Sequence, residues 1–295
     1  MNWPKSLKIK SNQLLKNKTT LKIGGKADFF SEPGNLKELR LVVNWAKKNK
    51  MPVFVIGAGS NLLVSDKGVK GLVIKLGSAY FKNITIKGNY LEAGSGAKLF
   101  QIIQFAKGKT LGGCEFLAGI PGTLGGALVM NAGCWGKCIG ELVSEVEVLD
   151  HSGNIKTIKG KEIVFSYRKT NLGKYIILSA ILKLKSSQRD AIIRNIKEYI
   201  LKRHSSQGLT FPNAGCIFKN PQTLSAGRMI DLCGLKGKSM GGALISNKHA
   251  NFILNKGGAK SNDVLKLMRL IKARVSKRFK IKLEPEIKIW RGTQR

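Results

Sequence analysis

Cys216 stands at the centre of Pro212-Asn213-Ala214-Gly215-Cys216-Ile217-Phe218-Lys219-Asn220-Pro221, a turn bracketed by two prolines that fix its shape. An ordinary thiol is protonated at neutral pH and can deliver that proton. A lone cysteine can equally be a small buried hydrophobe. The three histidines, His151, His204 and His249, are scattered, so no Cys–His pair for nucleophilic chemistry is legible. Arg168, in Ser166-Tyr167-Arg168, follows the apolar run Ile163-Val164-Phe165. A guanidinium held partly inside seeks a carboxylate or a phosphate; the plain alternative is a surface ion pair. Glu284 and Glu286, in Leu283-Glu284-Pro285-Glu286-Ile287, are two of only 17 acids and sit among apolar residues. Their bland reading is a solvent-facing strand that balances Lys282 and Lys288.

Two glycine-rich segments offer a different chemistry. Gly57-Ala58-Gly59-Ser60-Asn61-Leu62 directly follows a buried strand. Successive backbone N–H groups there can turn inward as an anion nest, with Ser60 and Asn61 adding side-chain donors. Leu62 replaces the third glycine of a dinucleotide fingerprint, and no Gly-Lys-Ser/Thr follows, so neither nucleotide motif is present. A tight turn is the alternative. The second segment is Gly119-Ile120-Pro121-Gly122-Thr123-Leu124-Gly125-Gly126-Ala127, running on to Asn131-Ala132-Gly133. Each of its glycines gives up about 0.5–1 kcal/mol of regular structure relative to alanine. That is expected where a large planar or phosphorylated ligand lies against backbone, and its apolar residues argue for burial rather than a loose loop. Together the two segments suggest one extended nucleotide-like ligand.

These residues must be positioned by mixed elements. Apolar spacing predicts a helix over 36–49, with Leu36, Leu39, Val42, Val43 and Ala46 on one face. Strands are expected at 53–56 and 72–76, and a hairpin at 84–86 and 90–93 around Lys87-Gly88-Asn89. A helix follows at 99–106. Strands are expected at 143–149, 155–158 and 175–184, with a turn at 150–154. A helix is predicted over 191–202 after the polar joint 186–190. Segment 203–260 reads as loop-rich and glycine-rich. A last helix runs to Arg278, capped by Ser261, and strands close the chain at 281–283 and 287–290. The irregular alternation favours α+β over a strictly alternating parallel fold.

Composition narrows the class. The chain has 295 residues, 43% hydrophobic, enough for two or three domains. No run approaches the ~20 apolar residues of a membrane helix, and the start, MNWPKSLKIK, lacks a secretory apolar core. A cytoplasmic protein without membrane insertion is expected. Five cysteines without a CxxC fit neither a disulfide framework nor a zinc site, so no metal is expected. The 52 cations against 17 acids give +35, but 41 are lysines spread along the chain. Nucleic-acid sites lean on clustered arginine and exposed aromatics. Aromatics are 7% and follow apolar patterns, so a nucleic-acid partner is the weaker account. A lysine-rich composition that leaves a solvated basic surface is the stronger account, against a function on polyanions or on small anionic ligands drawn in by the field.

The ordered set VIGAGSNLLVSD (55–66), LAGIPGTLGGALVMNAG (117–133), YR (167–168), PNAGCIFKNP (212–221), SAGRMIDLCGLKGKSMGGALIS (225–246), KHANFI (248–253) and LEPEI (283–287) resembles the UDP-N-acetylenolpyruvoylglucosamine reductase (MurB) family, over about residues 17–290. The resemblance implies an α+β fold. A two-subdomain FAD-binding module of the vanillyl-alcohol-oxidase type (1–78 and 79–188) would precede a C-terminal substrate-binding domain (189–295) whose last strand returns to the active-site cleft. It implies an FAD enzyme, reduced by NADPH, that passes hydride to the β-carbon of an enolpyruvyl group on UDP-N-acetylglucosamine, with a proton added at the α-carbon. The product is UDP-N-acetylmuramate, a peptidoglycan precursor. Another FAD oxidoreductase on the same domain is the nearest alternative.

The resemblance assigns roles residue by residue. Arg168 polarises the substrate carboxylate, Cys216 donates the proton, and Glu286 partners that carboxylate. Glu286 must then hold or share a proton, with its pKa raised by a like charge and burial. FAD would be held by Gly57, Ala58, Gly59, Ser60, Asn61, Leu62, Gly119, Ile120, Pro121, Gly122, Thr123, Gly125, Gly126, Asn131, Ala132 and Gly133. The UDP-sugar would meet Tyr167, Lys219, Asn220, Arg228, His249 and Asn251. The chain departs from the pattern in two ways. Many members carry serine where Cys216 stands. After Tyr167-Arg168, Thr170 and Leu172 replace the usual serine and phenylalanine, so Thr170 receives no catalytic role. The chain matches the shorter subtype, without a tyrosine-bearing substrate lid. A monomer is expected.

Overall fold

The computed structural model describes residues 7–150, 152–207 and 211–292. His151 and most of the N-terminal stretch read above for a secretory signal lie outside the described residues. The chain forms two compact units that interleave in sequence, where three consecutive blocks were expected. One unit comprises 29–58 and 71–203 with the residues before 11. The other comprises 11–28, 59–70 and 204 onward.

The first unit is built on a five-stranded antiparallel sheet. Its order is Ile155–Lys159, Val143–Leu149, Ile176–Lys183, Tyr90–Gly94, Ile84–Lys87. Alternation places Val146, Val148, Ala180, Leu182, Leu91 and Ala93 in one core with helices Leu99–Gly108 and Leu124–Val129. A second core gathers Leu39, Val42, Val43 and Ala46 of helix Leu36–Lys48 with Leu72, Ile74 and Phe81. The Asn35 side chain caps that helix by accepting the Glu38 N–H. Val53–Val55 runs parallel to Leu72, Val73 and Ile74.

The second unit carries an antiparallel sheet of Asn213–Cys216, Phe252–Asn255, Ala243–Ile245 and Ser239–Met240. Helices Ala226–Leu232 and Ser261–Phe279 bury Met229, Ile230, Val264, Leu267, Met268, Ile271 and Val275 in its core. Lys288–Trp290 pairs in parallel with Leu62–Val64.

Several expectations change. Segment 203–260 is loop-rich as expected, and it also holds the four short strands and the helix Ala226–Leu232. Its glycines mark tight turns between strands too short to show a period. At Gly241, φ is +52° and an added Cβ would lie 2.5 Å from Asp263 Oδ2. Gly119–Gly133 is not wholly irregular, since Leu124–Val129 is helical behind a Thr123 cap. Ile281–Leu283 forms no strand; nearby, Pro285 makes a single bridge to Phe218. Ser261 is not the cap but the first helical residue. Its N–H and hydroxyl both lie 2.7 Å from Asp66 Oδ2, while Asp263 accepts the Lys260 N–H at 2.9 Å. Asp66 thus meets the positive end of a 19-residue helix.

Asp66→Ala is expected to lower stability by about 1–3 kcal/mol, the range for charge-assisted hydrogen bonds, read as a lower melting temperature. A second prediction concerns Cys114, which is buried. Burial, then the neighbouring Glu115 charge, pushes its thiol up to about 12 from 9.0. The unfolded thiol ionises first as pH rises, so the stabilisation is full below pH 9 and lost between 9 and 12. Urea midpoints at about pH 7 and about pH 10.5, on either side of the unfolded value, should therefore fall more in the parent than in Cys114→Ala.

Candidate active site

In the first unit, the two glycine-rich segments meet at Gly57. A Cβ there would lie 2.5 Å from Thr123 Oγ1, so no side chain fits without displacing that hydroxyl. The turn carrying Thr123 is stitched by Leu99 N–H to Gly122 O, Leu124 N–H to Ala97 O and Gly125 N–H to Ser95 O. Within this unit, among the described residues, neither the Gly57 nor the Ala58 backbone N–H donates to a protein acceptor. Successive donors left open in this way suit an anion such as a pyrophosphate. Ser95 Oγ is buried without a hydrogen-bond partner, beside Gly125. Its hydroxyl is a further donor that sequence reasoning missed, because an isolated serine carries no signal.

Arg168 is half-buried in a left-handed conformation, φ +58°. Its guanidinium donates to Gly133 O at 2.9 Å and lies 5.3 Å from the exposed Tyr167 ring. Asn131 is buried, and its side chain joins the same two segments. Its Nδ2 donates to Ser166 O and its Oδ1 accepts Gly140 N–H, both at 3.1 Å. Asn131, Gly133 and Arg168 are thus brought together by bonds within the protein. Thr170 Oγ1 is engaged with the carbonyls of Leu128 and Val129.

Arg203 was also missed. Its Nε donates to Ala118 O at 3.4 Å, and its guanidinium lies 5.3 Å from the Trp135 ring and 3.5 Å from Cys134 Sγ. A Cβ on Gly119 would meet Arg203 Cδ at 2.9 Å. The side chain therefore fixes one end of the glycine-rich turn. Burial pushes the Cys134 thiol up, with Arg203 and then Arg168 opposing it.

In the second unit, Gly59 has φ +66°, and a Cβ would stand 2.2 Å from Lys18 O. Gly59 O accepts the Thr20 N–H, and the Thr20 hydroxyl donates to Asn213 O at 2.6 Å. Asn61 Nδ2 donates to Glu286 O at 3.2 Å, and Asn61 O accepts Lys288 N–H. Leu62 is buried in the parallel pair with Lys288.

Cys216, half-buried, ends the strand Asn213–Cys216, which continues as the buried pair Ile217-Phe218. Ile217 O accepts Glu286 N–H at 2.8 Å, and Glu284 O accepts Lys219 N–H at 2.9 Å. The residue after Cys216 is thus bonded directly to the Glu286 main chain. Glu284 is exposed and pairs with Lys219 Nζ at 3.1 Å. Asn220 Oδ1 accepts Ala226 N–H, and the exposed Arg228 pairs with Asp231. His249 packs on Phe252 and faces Gly227; burial holds its imidazole below the ordinary range. Asn251 is 1% exposed, with its amide on the Phe218 backbone. Asn251 and Asn131 thus hold the frame with their side chains.

The model of an FAD binding domain matches residues 27–159. The model of the UDP-N-acetylenolpyruvoylglucosamine reductase C-terminal domain matches residues 207–290. The reductase of Desulforamulus reducens is 42% identical over 283 residues, covering 95% of this chain and 93% of the relative. That of Prochlorococcus marinus is 42% identical over 287 residues, covering 96% and 98%. The solved reductase of Thermus caldophilus superposes with a TM-score of 0.82 at 38% identity, covering 94% of this chain and 97% of that one. A single-substitution variant of Phl p 4, a glucose dehydrogenase, shares the fold over 63% of this chain and 43% of its own, at a TM-score of 0.51 and 16% identity. The architecture is therefore an FAD-binding module of the vanillyl-alcohol-oxidase type joined to a C-terminal α+β domain. On identity and coverage alike, the chain belongs to the UDP-N-acetylenolpyruvoylglucosamine reductase family.

Proposed function

We propose that this chain reduces UDP-N-acetylglucosamine enolpyruvate to UDP-N-acetylmuramate, a step in peptidoglycan precursor synthesis, with NADPH as reductant. The full-length match to reductases carries this reading. The open N–H groups of Gly57 and Ala58 support FAD as the resident cofactor, because successive backbone donors match a pyrophosphate. FAD, when bound, supplies the hydride and is recharged by NADPH.

The chain's own residues must manage the charge that hydride addition creates. Addition at the β-carbon of the enolpyruvyl group places negative charge on the α-carbon and its carboxylate. Arg168 meets that carboxylate with a guanidinium whose backbone is preset and whose one end is tied to Gly133. A donor fixed before charge develops costs no reorganisation when it does. Cys216 gives the proton to the α-carbon, and Glu286 shares a proton with the substrate carboxylate. The thiol is more acidic than the serine hydroxyl common in relatives, and it adds sensitivity to oxidation. Tyr167, Lys219, Asn220, Arg228 and His249 are proposed contacts of the UDP-sugar. No helix among the described residues is long and apolar enough to cross a membrane; we place the protein in the cytoplasm as a monomer.

The purified protein should show a flavin spectrum that bleaches under anaerobic NADPH and recovers only when the enolpyruvyl substrate is added. In Cys216→Ala, bleaching should persist at the parent rate. Turnover should fall about 10²–10⁴-fold, the usual worth of a general acid. A protein that takes up no FAD, or recovers equally well without that substrate, overturns the reading.

A further inference from the structure

Cys216 is the last residue of its strand to have a strand partner. Its partner is Phe252, where the neighbouring strand begins; before Phe252 the chain turns away through residues 246–251. Ile217 and Phe218 run past the end of that ladder, although both are fully buried. A buried backbone pair without partners is costly. One residue replaces the missing strand. Asn251 Oδ1 accepts the Phe218 N–H at 2.9 Å, and its Nδ2 donates to Phe218 O at 2.8 Å. Asn251 O accepts the Ile217 N–H at 2.8 Å. On the other side of the same segment, Ile217 O accepts Glu286 N–H, and Lys219 N–H donates to Glu284 O.

The turn that carries Asn251 is itself fixed. Ser246 Oγ accepts the N–H groups of Lys248 and His249 at 3.2 Å each, and His249 Nδ1 accepts the Asn251 N–H at 3.3 Å. His249 thereby supports the asparagine's main chain, and Asn251 supports the segment leading out of Cys216.

We infer that Asn251 is a positioning residue for the proton-transfer step. It holds the Ile217-Phe218 backbone so that Cys216 and the Glu286 main chain keep one fixed separation, and it makes no contact with substrate. The inference rests on the proposed roles of Cys216 and Glu286. It replaces the expectation that Asn251 binds the UDP-sugar: its amide is 33 residues from Phe218 in sequence but fully occupied with it in space.

The test is Asn251→Asp, which keeps shape but sets a carboxylate oxygen against Phe218 O. Flavin content and the rate of flavin reduction by NADPH should equal the parent's. The kcat per bound flavin should fall at least tenfold and KM for the UDP-sugar should change less than threefold. The solvent deuterium isotope effect on kcat should rise as proton delivery becomes slow. A KM that climbs tenfold with kcat unchanged overturns the inference in favour of substrate contact. A lower melting temperature with unchanged kcat per flavin overturns it in favour of a purely structural role, as does a falling kcat with an unchanged isotope effect. Cys216→Ala in the same assay separates the two ideas: if it leaves flavin reoxidation by substrate intact, the acid assignment is what fails. Amide exchange on the unmodified holoenzyme decides the positioning independently of any variant. The Phe218 and Glu286 amides should exchange slowly and together. A Phe218 amide that exchanges as fast as an exposed loop overturns it.

Discussion

The second unit depends on keeping the buried backbone of Ile217 and Phe218 hydrogen-bonded from both sides. Asn251 satisfies one side, with main chain and side chain together. On the other, the Glu286 N–H donates to Ile217 O, and Glu284 O accepts the next N–H, that of Lys219. The proposed proton donor and its carboxylate partner are attached to this short segment: Cys216 precedes it, Glu286 bonds to it, and Lys219 follows it. Buried polar backbone tolerates no slack, because an unmade bond there costs the full desolvation of the group. The same rigidity that stability demands is what a proton donor needs. The two requirements act on the same atoms, so the site needs no separate frame.

The first unit solves the matching problem with a different asparagine. Asn131 bonds Ser166 O and Gly140 N–H, and Arg168 reaches back to Gly133 O. Both Asn131 and Arg168 have positive φ, +43° and +58°. Left-handed backbone at two non-glycine positions is strained and persists only where surrounding bonds over-determine it. Here those bonds come from the two segments themselves, so the glycine-rich turn and the arginine loop hold each other in place. In each unit an asparagine, Asn131 or Asn251, bonds backbone through its side chain.

The sequence makes the long elements legible because their cores impose a period. Helix Leu36–Lys48 buries Leu39, Val42, Val43 and Ala46 as its spacing predicts, and Val143–Leu149 alternates as a half-covered strand should. Segment 203–260 is illegible for the opposite reason. Its strands Ala243–Ile245 and Ser239–Met240 are three and two residues long, too short for any alternation to register. The cap of helix Ser261–Phe279 lies one residue from its expected place because the true partner of Ser261, Asp66, is 195 positions away. Asn251 misleads on the same grounds. An asparagine in His-Ala-Asn-Phe reads as an available donor, and only the fold brings Phe218 to it. Arg203, which packs against Gly119, carries no local mark at all among the other arginines and lysines of its helix.

The excess of positive charge acquires a physical meaning once the acids are followed. Glu38, Asp66, Glu115, Glu141, Asp150, Glu162 and Asp263 each accept a backbone N–H at a turn or helix start. A lysine has only donors and cannot do this. Seven of the 17 carboxylates therefore serve where the backbone requires an acceptor. Their ion pairs, such as Lys156 with Asp150 or Lys219 with Glu284, are solvent-facing and individually worth little. What remains is a surface of lysines in mutual repulsion, tolerated because the structural acids hold the turns. Such a field raises the encounter rate of any polyanion. The proposed cofactor, reductant and substrate all carry phosphates, so the composition that leaves the surface unbalanced also favours their encounter.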